Sequence, residues 1–289
     1  MTITTERLRA AAASLGPLPT SLHRLLAITA SPEFDFDEIV DVVDHDMMLT
    51  AAILRRANSA SSSPADRIDS VRESIVRIGA VQALATAMHS VVGGTMQRDL
   101  RRYDLSAETM WSHSCAASIA ATHVRLRSAV PLPTSTGTTG LLHDIGKVVL
   151  DSLAPDDQAP AIVEHGAEAC ALEEQRYGLD HAAMGGLVAE AWNLPPAIVE
   201  GIAGHHELVD DPLPSAICLA DTVAHMVWNE PVSFPLIAAA DSARLILGID
   251  DDAFDRIVAA TAVEVADLLD RFTPLASASP ASGTRQGPA

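Results

Sequence analysis

The sequence LLHDIGKVVL, residues 141–150, places a histidine and an aspartate side by side within an apolar run. Burying two such groups without partners costs several kcal/mol, whereas an imidazole nitrogen and a carboxylate oxygen can together bind a divalent metal ion. If the run is helical, Lys147 shares the face of His143 and Asp144, where its ammonium could contact a phosphate. Gly146 disfavours a helix and suggests a close approach of another segment. A hydrogen-bonded His-Asp pair in a core helix is the alternative, and these ten residues leave both interpretations open.

The composition indicates an α-rich globular protein. Of the 289 residues, 48% are apolar, mostly aliphatic, and only 3% are aromatic, which suits packing between helices and allows one or two domains. No apolar run reaches the length of about 18 residues that a membrane span needs, and the N-terminus lacks the features of a signal peptide, so we expect a cytoplasmic protein. The cysteines, Cys115, Cys170 and Cys218, are odd in number and far apart, which predicts reduced thiols that form no disulfide and bind no metal.

The chain is acidic, with a net charge of −19 from 38 acidic and 19 basic residues. Nucleic-acid binding depends on Lys and Arg side chains that neutralise phosphates, so this balance argues against a nucleic-acid partner. It disfavours an acidic membrane surface for the same reason. The few short basic clusters are interpreted as solvated helix ends.

Helical periodicity runs through most of the chain without the alternation typical of strands, so we predict an all-α fold in two helical lobes. An N-terminal extension covers residues 1–15, and an N-terminal lobe covers residues 16–100. A second lobe, residues 105–273, contains the His-Asp pair, and the lobes meet near residues 93–105. The residues 274–289, rich in Ser, Pro and Gly, are expected to form a disordered tail.

Further polar residues fall on apolar helical faces or helix ends of the second lobe. Each alone is more often a satisfied core or surface residue, but five separate helices would have to bring such residues into apolar surroundings by chance. Their convergence predicts a metal site. The set comprises His113, His143, Asp144, His181, His205, His206 and Asp221.

A second His-Asp pair, His45-Asp46, lacks the following glycine and lysine, and Asp46 stands where a helix cap is expected. We therefore interpret this pair as structural. The histidines outside the metal set are likewise interpreted as structural or solvated. They are His23, His45, His89, His123, His165 and His225.

Eight segments match one protein family and come in its order. They are LPTSLHRLL (18–26), DMMLTAAILRRANSA (46–60), SVRESIVRIGA (70–80), MWSHS (110–114), GLLHDIGK (140–147), YGLDHAAMGGLVAEAWNLP (177–195), GIAGHH (201–206) and LADTVAH (219–225). On these segments the chain resembles the HDOD domain, a signalling branch of the HD metal-dependent phosphohydrolase superfamily. The resemblance implies an HDOD domain over residues 16–273, whose second lobe is an HD-type helical bundle.

The resemblance also implies a ligand set. One metal ion would bind His113, His143, Asp144 and Asp221, and a second would bind His181, His205 and His206, with Asp144 bridging. The ions would be Fe, Mn, Zn or Ni, because histidine with carboxylate suits each of them. Two such ions can clamp a phosphoryl group and lower the pKa of a bridging water. Catalysis would then rest on Asp144 and on Lys147, which would stabilise the phosphate charge.

Several functions stay open at this point. The sequence LVDDPLPS after Glu207 lacks the Gly-Tyr-Pro segment of the related HD-GYP phosphodiesterases, so cyclic di-GMP specificity is not implied. HDOD domains are commonly signalling modules, and we expect a free-standing module that acts through a signalling protein partner. The alternative is a metal-dependent phosphohydrolase acting on a nucleotide, a cyclic nucleotide or another small phosphorylated ligand. A third interpretation treats the polar set as core hydrogen bonds.

Overall fold

The computed structural model describes residues 5–15, 18–30, 35–58, 68–79, 83–84, 86–87, 99–153, 160–207, 210–228 and 232–272. Within these residues the chain forms α-helices and no strand, apart from one isolated bridge between Leu100 and Leu105. The prediction of an all-α fold is therefore confirmed. No helix in these ranges combines the length and the apolar character that crossing a membrane requires.

The helices follow one another in chain order, with short connections around the site. They are α1 (Thr5–Ala13), α2 (Thr20–Ala30), α3 (Phe36–Asp44), α4 (Met47–Asn58), α5 (Val71–Ile78), α6 (Ala107–Arg127), α7 (Thr136–Leu142), α8 (Ile145–Leu153), α9 (Ala167–Tyr177), α10 (His181–Ala191), α11 (Pro196–Ala203), α12 (Pro212–Val227), α13 (Phe234–Leu247) and α14 (Asp251–Phe272).

Two long helices, α6 and α12, run through the interior of the fold. Most of α6 is buried, and α12 is buried without a break from Leu213 to His225. A helix that is buried on all sides belongs in the core, and α6 packs against α7, α12 and α14. This central position carries His113, on α6, and Asp221, on α12, into the interior.

The helices pack around two apolar clusters. The larger cluster contains residues from every helix from α1 to α11, together with Ala224 of α12 and Val265 of α14, and the smaller one lies between α6, α12, α13 and α14. These clusters do not divide the chain at the predicted boundary, so the division into two lobes stays a prediction. The predicted meeting point at residues 93–105 lies partly outside the described residues, and the predicted tail at 274–289 lies wholly outside them.

Capping residues fix where the site helices begin. Ser106 accepts a hydrogen bond from the Thr109 amide at 3.0 Å, and Asp180 accepts one from the Ala183 amide at 2.7 Å. Helix α11 has Pro196 in its first turn, where a missing N–H leaves no hydrogen bond unmade. The cap at Asp180 makes His181 the first residue of α10.

The run 141–150 is not the single helix that the sequence suggests. Helix α7 ends at Leu142, the His143-Asp144 pair forms a turn, and α8 begins at Ile145. At this turn His143 Nδ1 donates to the Gly140 carbonyl at 2.8 Å, which is the carbonyl that the Asp144 amide would use in a continuous helix. The Lys147 amide donates to the Asp144 carbonyl at 3.0 Å, so Lys147 still lies one turn beyond the aspartate.

Gly146 makes the close contact that the sequence predicts. A Cβ atom at this position would overlap the backbone carbonyl oxygen of His181 and would lie 2.7 Å from the Gly185 amide nitrogen. Helices α8 and α10 therefore meet backbone to backbone. This contact sets His181 directly beside the His143-Asp144 turn.

Candidate metal centre

All seven polar residues of the predicted set meet in one place. His113 lies in the middle of α6, the His143-Asp144 pair lies between α7 and α8, and His181 begins α10. His205 and His206 follow the end of α11, and Asp221 lies within α12. Five of the seven are almost completely buried, His113 is nearly so, and His206 is half-buried.

One side of the cluster consists of His113, His143 and Asp221. The Nε2 atoms of the two histidines lie 3.1 and 3.5 Å from Asp221 Oδ1, and His143 Nε2 lies 3.4 Å from Asp144 Oδ2. These separations are those of neighbouring ligand atoms around a metal ion whose bonds are about 2.0–2.2 Å long. His113, His143 and Asp144 form one group that could hold an ion.

The other side consists of His181, His205 and His206. His181 Nε2 lies 3.2 Å from Asp144 Oδ1 and 3.1 Å from His206 Nε2, and the rings of His205 and His206 have centroids 4.0 Å apart. Asp144, His181 and His205 form a second group that could hold an ion. Asp144 thus directs one oxygen toward each side of the cluster.

The hydrogen bonds of the histidine rings show that this set fits a metal ion. His143 Nδ1 donates to the Gly140 carbonyl and His205 Nδ1 donates to the Ile202 carbonyl at 2.7 Å, so each neutral ring turns the lone pair of Nε2 into the cluster. Both Nε2 atoms and Asp144 Oδ1 are buried without a hydrogen-bond partner. Buried polar atoms are normally satisfied, and a cation between these atoms would satisfy all three.

The electrostatics of the cluster favour metal-binding protonation states. Burial alone would raise the pKa of Asp144, but His143, Lys147 and His181 outweigh it and hold that pKa well below its usual range. Burial, reinforced by His181, lowers the pKa of His206 to about 3. An ionised carboxylate and a neutral imidazole are the forms in which these side chains bind metals.

His143 differs from the other histidines in its charge preference. Burial lowers its pKa, but Asp144 and Asp221 outweigh burial and raise the pKa above its ordinary value. Proton and metal ion compete for its Nε2.

Lys147 lies at the edge of the cluster. Its Nζ donates to Asp144 Oδ2 at 2.7 Å, and its side chain is 12% exposed. Burial lowers the pKa of this lysine, but Asp144 outweighs burial and raises it, so the ammonium stays charged. The structure thus pairs Lys147 with the aspartate at the centre of the cluster.

Four residues that the sequence analysis left out of the set also lie at the site. Glu173 accepts hydrogen bonds from His181 and from Tyr103. His225 Nε2 lies 3.3 Å from Asp221 Oδ1, and the His225 ring packs against the ring of His165 at 4.2 Å. A signal was present for His225, because it follows Asp221 by four residues and shares its helical face.

The cysteines are free and buried, as expected for reduced thiols. Burial raises the pKa of Cys115 and of Cys218 to about 12, which makes both thiols inert. Cys170 lies close enough to His181 and His206 for its sulfur to join their ligand atoms in a metal-binding group. The expectation that no cysteine binds metal stays a prediction.

Comparisons with known proteins bear on the family and the fold. A sequence model of the HDOD domain matches residues 15–208, more than half of the chain. An uncharacterized protein from Treponema pallidum (strain Nichols) is 25% identical over 199 residues, which are 68% of this chain and 38% of that protein. The chain therefore spans well under half the length of this relative.

Solved structures share the fold. A protein from Shewanella amazonensis SB2B, provisionally named a phosphohydrolase, has a TM-score of 0.60 at 20% identity, covering 91% of this chain and 97% of its own. A protein from Marinobacter aquaeolei VT8, provisionally named a signal transduction protein, has a TM-score of 0.65 at 17% identity, covering 94% of this chain and 62% of its own. At these identities the likeness is one of fold alone.

Fold and site together define the class, an α-helical protein with a buried ligand set suited to divalent metal ions. The sequence match then gives the family. The chain belongs to the HDOD domain family.

Proposed function

We propose that this HDOD protein holds divalent metal ions in the His-Asp cluster and acts as a signalling module through contacts with a protein partner. One observation carries the metal part of the proposal. Three buried ligand atoms, His143 Nε2, Asp144 Oδ1 and His205 Nε2, point into the cluster and have no hydrogen-bond partner. Leaving such atoms unsatisfied is costly, and a bound cation removes that cost.

The arrangement of oxygens and nitrogens suits two ions. Asp144 directs Oδ2 toward the side with His113, His143 and Asp221, and Oδ1 toward the side with His181. A carboxylate can bridge two ions in this way, whereas a single imidazole nitrogen binds one. The first ion would be held by His113, His143, Asp144 and Asp221, and the second by Asp144, His181, His205 and His206.

Burial supports a signalling role over turnover. His143, His181 and His205 have no exposed surface, and Asp144 has very little. A substrate phosphate would need a path to these side chains, whereas a metal ion that stabilises the fold needs none once it is bound. The signal transduction name given to the Marinobacter protein is in keeping with this role.

The test is the metal content of the full-length protein, purified without oxygen and measured by elemental analysis. We expect about two ions per chain, as in two-metal centres. His143→Gln should lose the ion on its side, because it removes a buried nitrogen ligand. His45→Gln, which changes a histidine on the surface, is the matched control and should keep both. Negligible metal in the wild type after reconstitution would refute the proposal.

Phosphoester hydrolysis is the second candidate, and Lys147 is the observation that favours it. The Lys147 side chain is 12% exposed, and its ammonium, which would attract a phosphate, lies beside the central carboxylate. When bound, two ions would polarise the phosphoryl group and activate water. The chain itself would contribute Lys147, whose charge would offset the charge that develops on the phosphate oxygens.

Turnover assays separate the two candidates. The panel is a set of cyclic and linear nucleotides with the Mn, Fe and Zn forms of the protein. If the protein is an enzyme, Lys147→Ala should keep its metal and lose about 10²–10³-fold in turnover, the usual loss for one preorganised electrostatic donor. If no substrate is turned over with any of the metals, the signalling module is the better supported of the two functions. Turnover that survives the loss of Asp144 would point to a contaminant.

A further inference from the structure

Glu173 on α9 is a buried carboxylate outside the predicted ligand set. It has no exposed surface, and each of its two oxygens is engaged. Oε2 accepts both the backbone N–H and the Nδ1–H of His181, each at 2.7 Å. Oε1 accepts the hydroxyl of Tyr103 at 2.8 Å.

This hydrogen-bond pattern fixes both the position and the tautomer of His181. The backbone contact anchors the carboxylate at the first residue of α10, and the side-chain contact keeps the proton on Nδ1. Nε2 then carries the lone pair, and it points between Asp144 Oδ1 and His206 Nε2. Histidine ligands in metal sites are commonly oriented by a carboxylate on the other ring nitrogen, which also makes the ligand more basic.

Glu173 is suited to this task because both of its oxygens accept hydrogen bonds and hold it in place. The Tyr103 hydroxyl faces the same carboxylate, and burial together with the charge of Glu173 raises the pKa of this tyrosine well above its usual value. The phenol thus stays protonated and donates its hydrogen to Glu173.

Tyr103 links this carboxylate to a turn at residues 100–105. The turn is closed by hydrogen bonds in both directions between Leu100 and Leu105, at 2.8 and 3.2 Å. Its Arg102 amide donates to Asp151 on α8 at 2.8 Å, and the Arg102 carbonyl accepts from Ile162 at 2.7 Å. Two residues after the turn the chain enters α6, which carries His113.

We propose that Glu173 is the positioning residue for His181 in the metal centre, and that Tyr103 thereby couples metal binding to the turn at residues 100–105. This inference rests on the proposed metal centre. It connects the centre to the rest of the chain through two hydrogen bonds. An ion bound to His181 would be held in place by Glu173, and Glu173 also accepts the hydrogen bond of the Tyr103 hydroxyl.

The first test compares Glu173→Gln with Glu174→Gln. The substitutions are chemically identical and adjacent on α9, but Glu174 is exposed. In Glu173→Gln we expect the ion on the His181 side to bind about 10–100-fold more weakly in competition with a chelator, while the other ion is retained. The absorption spectrum of the cobalt-loaded protein should change as well, because the ligand field at His181 changes. Glu174→Gln should match the wild type in both measurements.

The outcomes separate this inference from the function on which it rests. Absence of metal in the wild type would remove the proposed centre itself. Two ions in the wild type, with unchanged affinity and an unchanged cobalt spectrum in Glu173→Gln, would overturn only the role of Glu173. A purely structural role would lower stability in Glu173→Gln without weakening one ion selectively.

The second test addresses the coupling through Tyr103→Phe, which removes only the hydroxyl. Hydrogen exchange of the amides at residues 100–105 is measured with and without metal in the full-length protein. In the wild type metal should slow this exchange. In Tyr103→Phe the metal content should be kept and the metal-dependent slowing at residues 100–105 should be lost. Equal slowing in both proteins would overturn the coupling.

Discussion

The chain contains the same dipeptide twice, at His45-Asp46 and at His143-Asp144, and the two pairs begin alike. Each pair stands between two helices, α3 and α4 in one case and α7 and α8 in the other. In each pair the histidine Nδ1 donates to a backbone carbonyl one turn earlier, at 2.7 Å for His45 and 2.8 Å for His143. The position between two helices and the hydrogen bond from Nδ1 therefore do not distinguish the two pairs.

The two aspartates differ in the groups that contact their carboxylates. Asp46 accepts the amides of Met48 and Leu49 at 2.9 and 3.1 Å, which caps α4 and confirms the predicted role. Asp144 instead faces Lys147 and the histidines of other helices. The side chain of His45 is 78% exposed, and that of His143 is fully buried. A His-Asp pair becomes a candidate ligand pair only where distant helices surround it with further ligands.

The largest effect is expected from removing the central carboxylate. Asp144→Ala takes away an oxygen on each side of the cluster, so we expect the loss of both metal ions. Asp46→Ala should leave the metal content unchanged. Elemental analysis of the two variants beside the wild type gives the result, and equal metal in Asp144→Ala and wild type would contradict the assignment of the second pair.

The next effect is a loss of stability in acid, which we expect to arise in the cluster around the second pair. Without metal, the folded protein holds His206 at a pKa of about 3, against an ordinary value of 6.5. Between these values the unfolded chain takes up a proton that the folded chain does not, so stability falls as pH drops from about 6.5 toward 3. The lowered pKa of Asp144 acts in the same direction, because its contribution is present above the unfolded value and is lost as pH falls.

Urea unfolding of the metal-free protein at several pH values between 7 and 4 measures this dependence. His206→Gln removes one of the titrating groups and should make the profile less steep, while the lowered pKa values of His113 and His205 keep part of the dependence. A wild-type stability that is independent of pH over this range would contradict the prediction.

The residues that follow each pair sharpen the comparison further. Gly146 touches the backbone of α10, whereas Met48, at the equivalent position after the first pair, is 59% exposed. Gly146→Ala forces two helices apart and should cost about 1–3 kcal/mol or more, as overpacking does. Met48→Ala should stay within about 0.5 kcal/mol, as surface changes usually do. The measurement is the free energy of unfolding of each variant without metal. Similar losses in Gly146→Ala and Met48→Ala would show that α8 and α10 can move apart at little cost.

The smallest effect is expected at the first pair itself. Asp46→Ala removes the cap of α4 and should lower the free energy of unfolding by about 1 kcal/mol, the usual value for a cap. Asp46→Asn keeps a capping oxygen and should recover most of the loss. A neutral Asp46→Ala would show that the two amide contacts contribute nothing to the stability of α4.

The sequence allowed the fold and the seven clustered residues to be predicted for a physical reason. Helical periodicity is a local property, and polar residues on apolar faces stand out because they need partners. His181 was placed correctly because Asp180 is a strong capping residue and fixes the start of α10. The predictions that depended on short-range chemistry therefore agree with the structure.

The remaining features depend on tertiary contacts. Glu173 and Glu174 are identical neighbours, and only the packing of α9 buries one and exposes the other. A weak signal existed, because Cys170, Glu173 and Tyr177 recur at helical spacing on one face. The helix break at His143 could not be predicted either, since a histidine that bonds the backbone three residues earlier leaves no mark in the pattern.

The complete burial of His143 has a consequence for how an ion would arrive. A ring with no exposed surface can take up metal only while the chain around it is locally open. Exchange at this position would then be governed by the opening rate and would be slow, while the half-buried His206 side would exchange faster. The identity of the ion on the inner side would therefore depend on which metal was abundant when the chain folded. Two preparations of identical protein, grown on different metals, would stay different long after transfer to the same buffer.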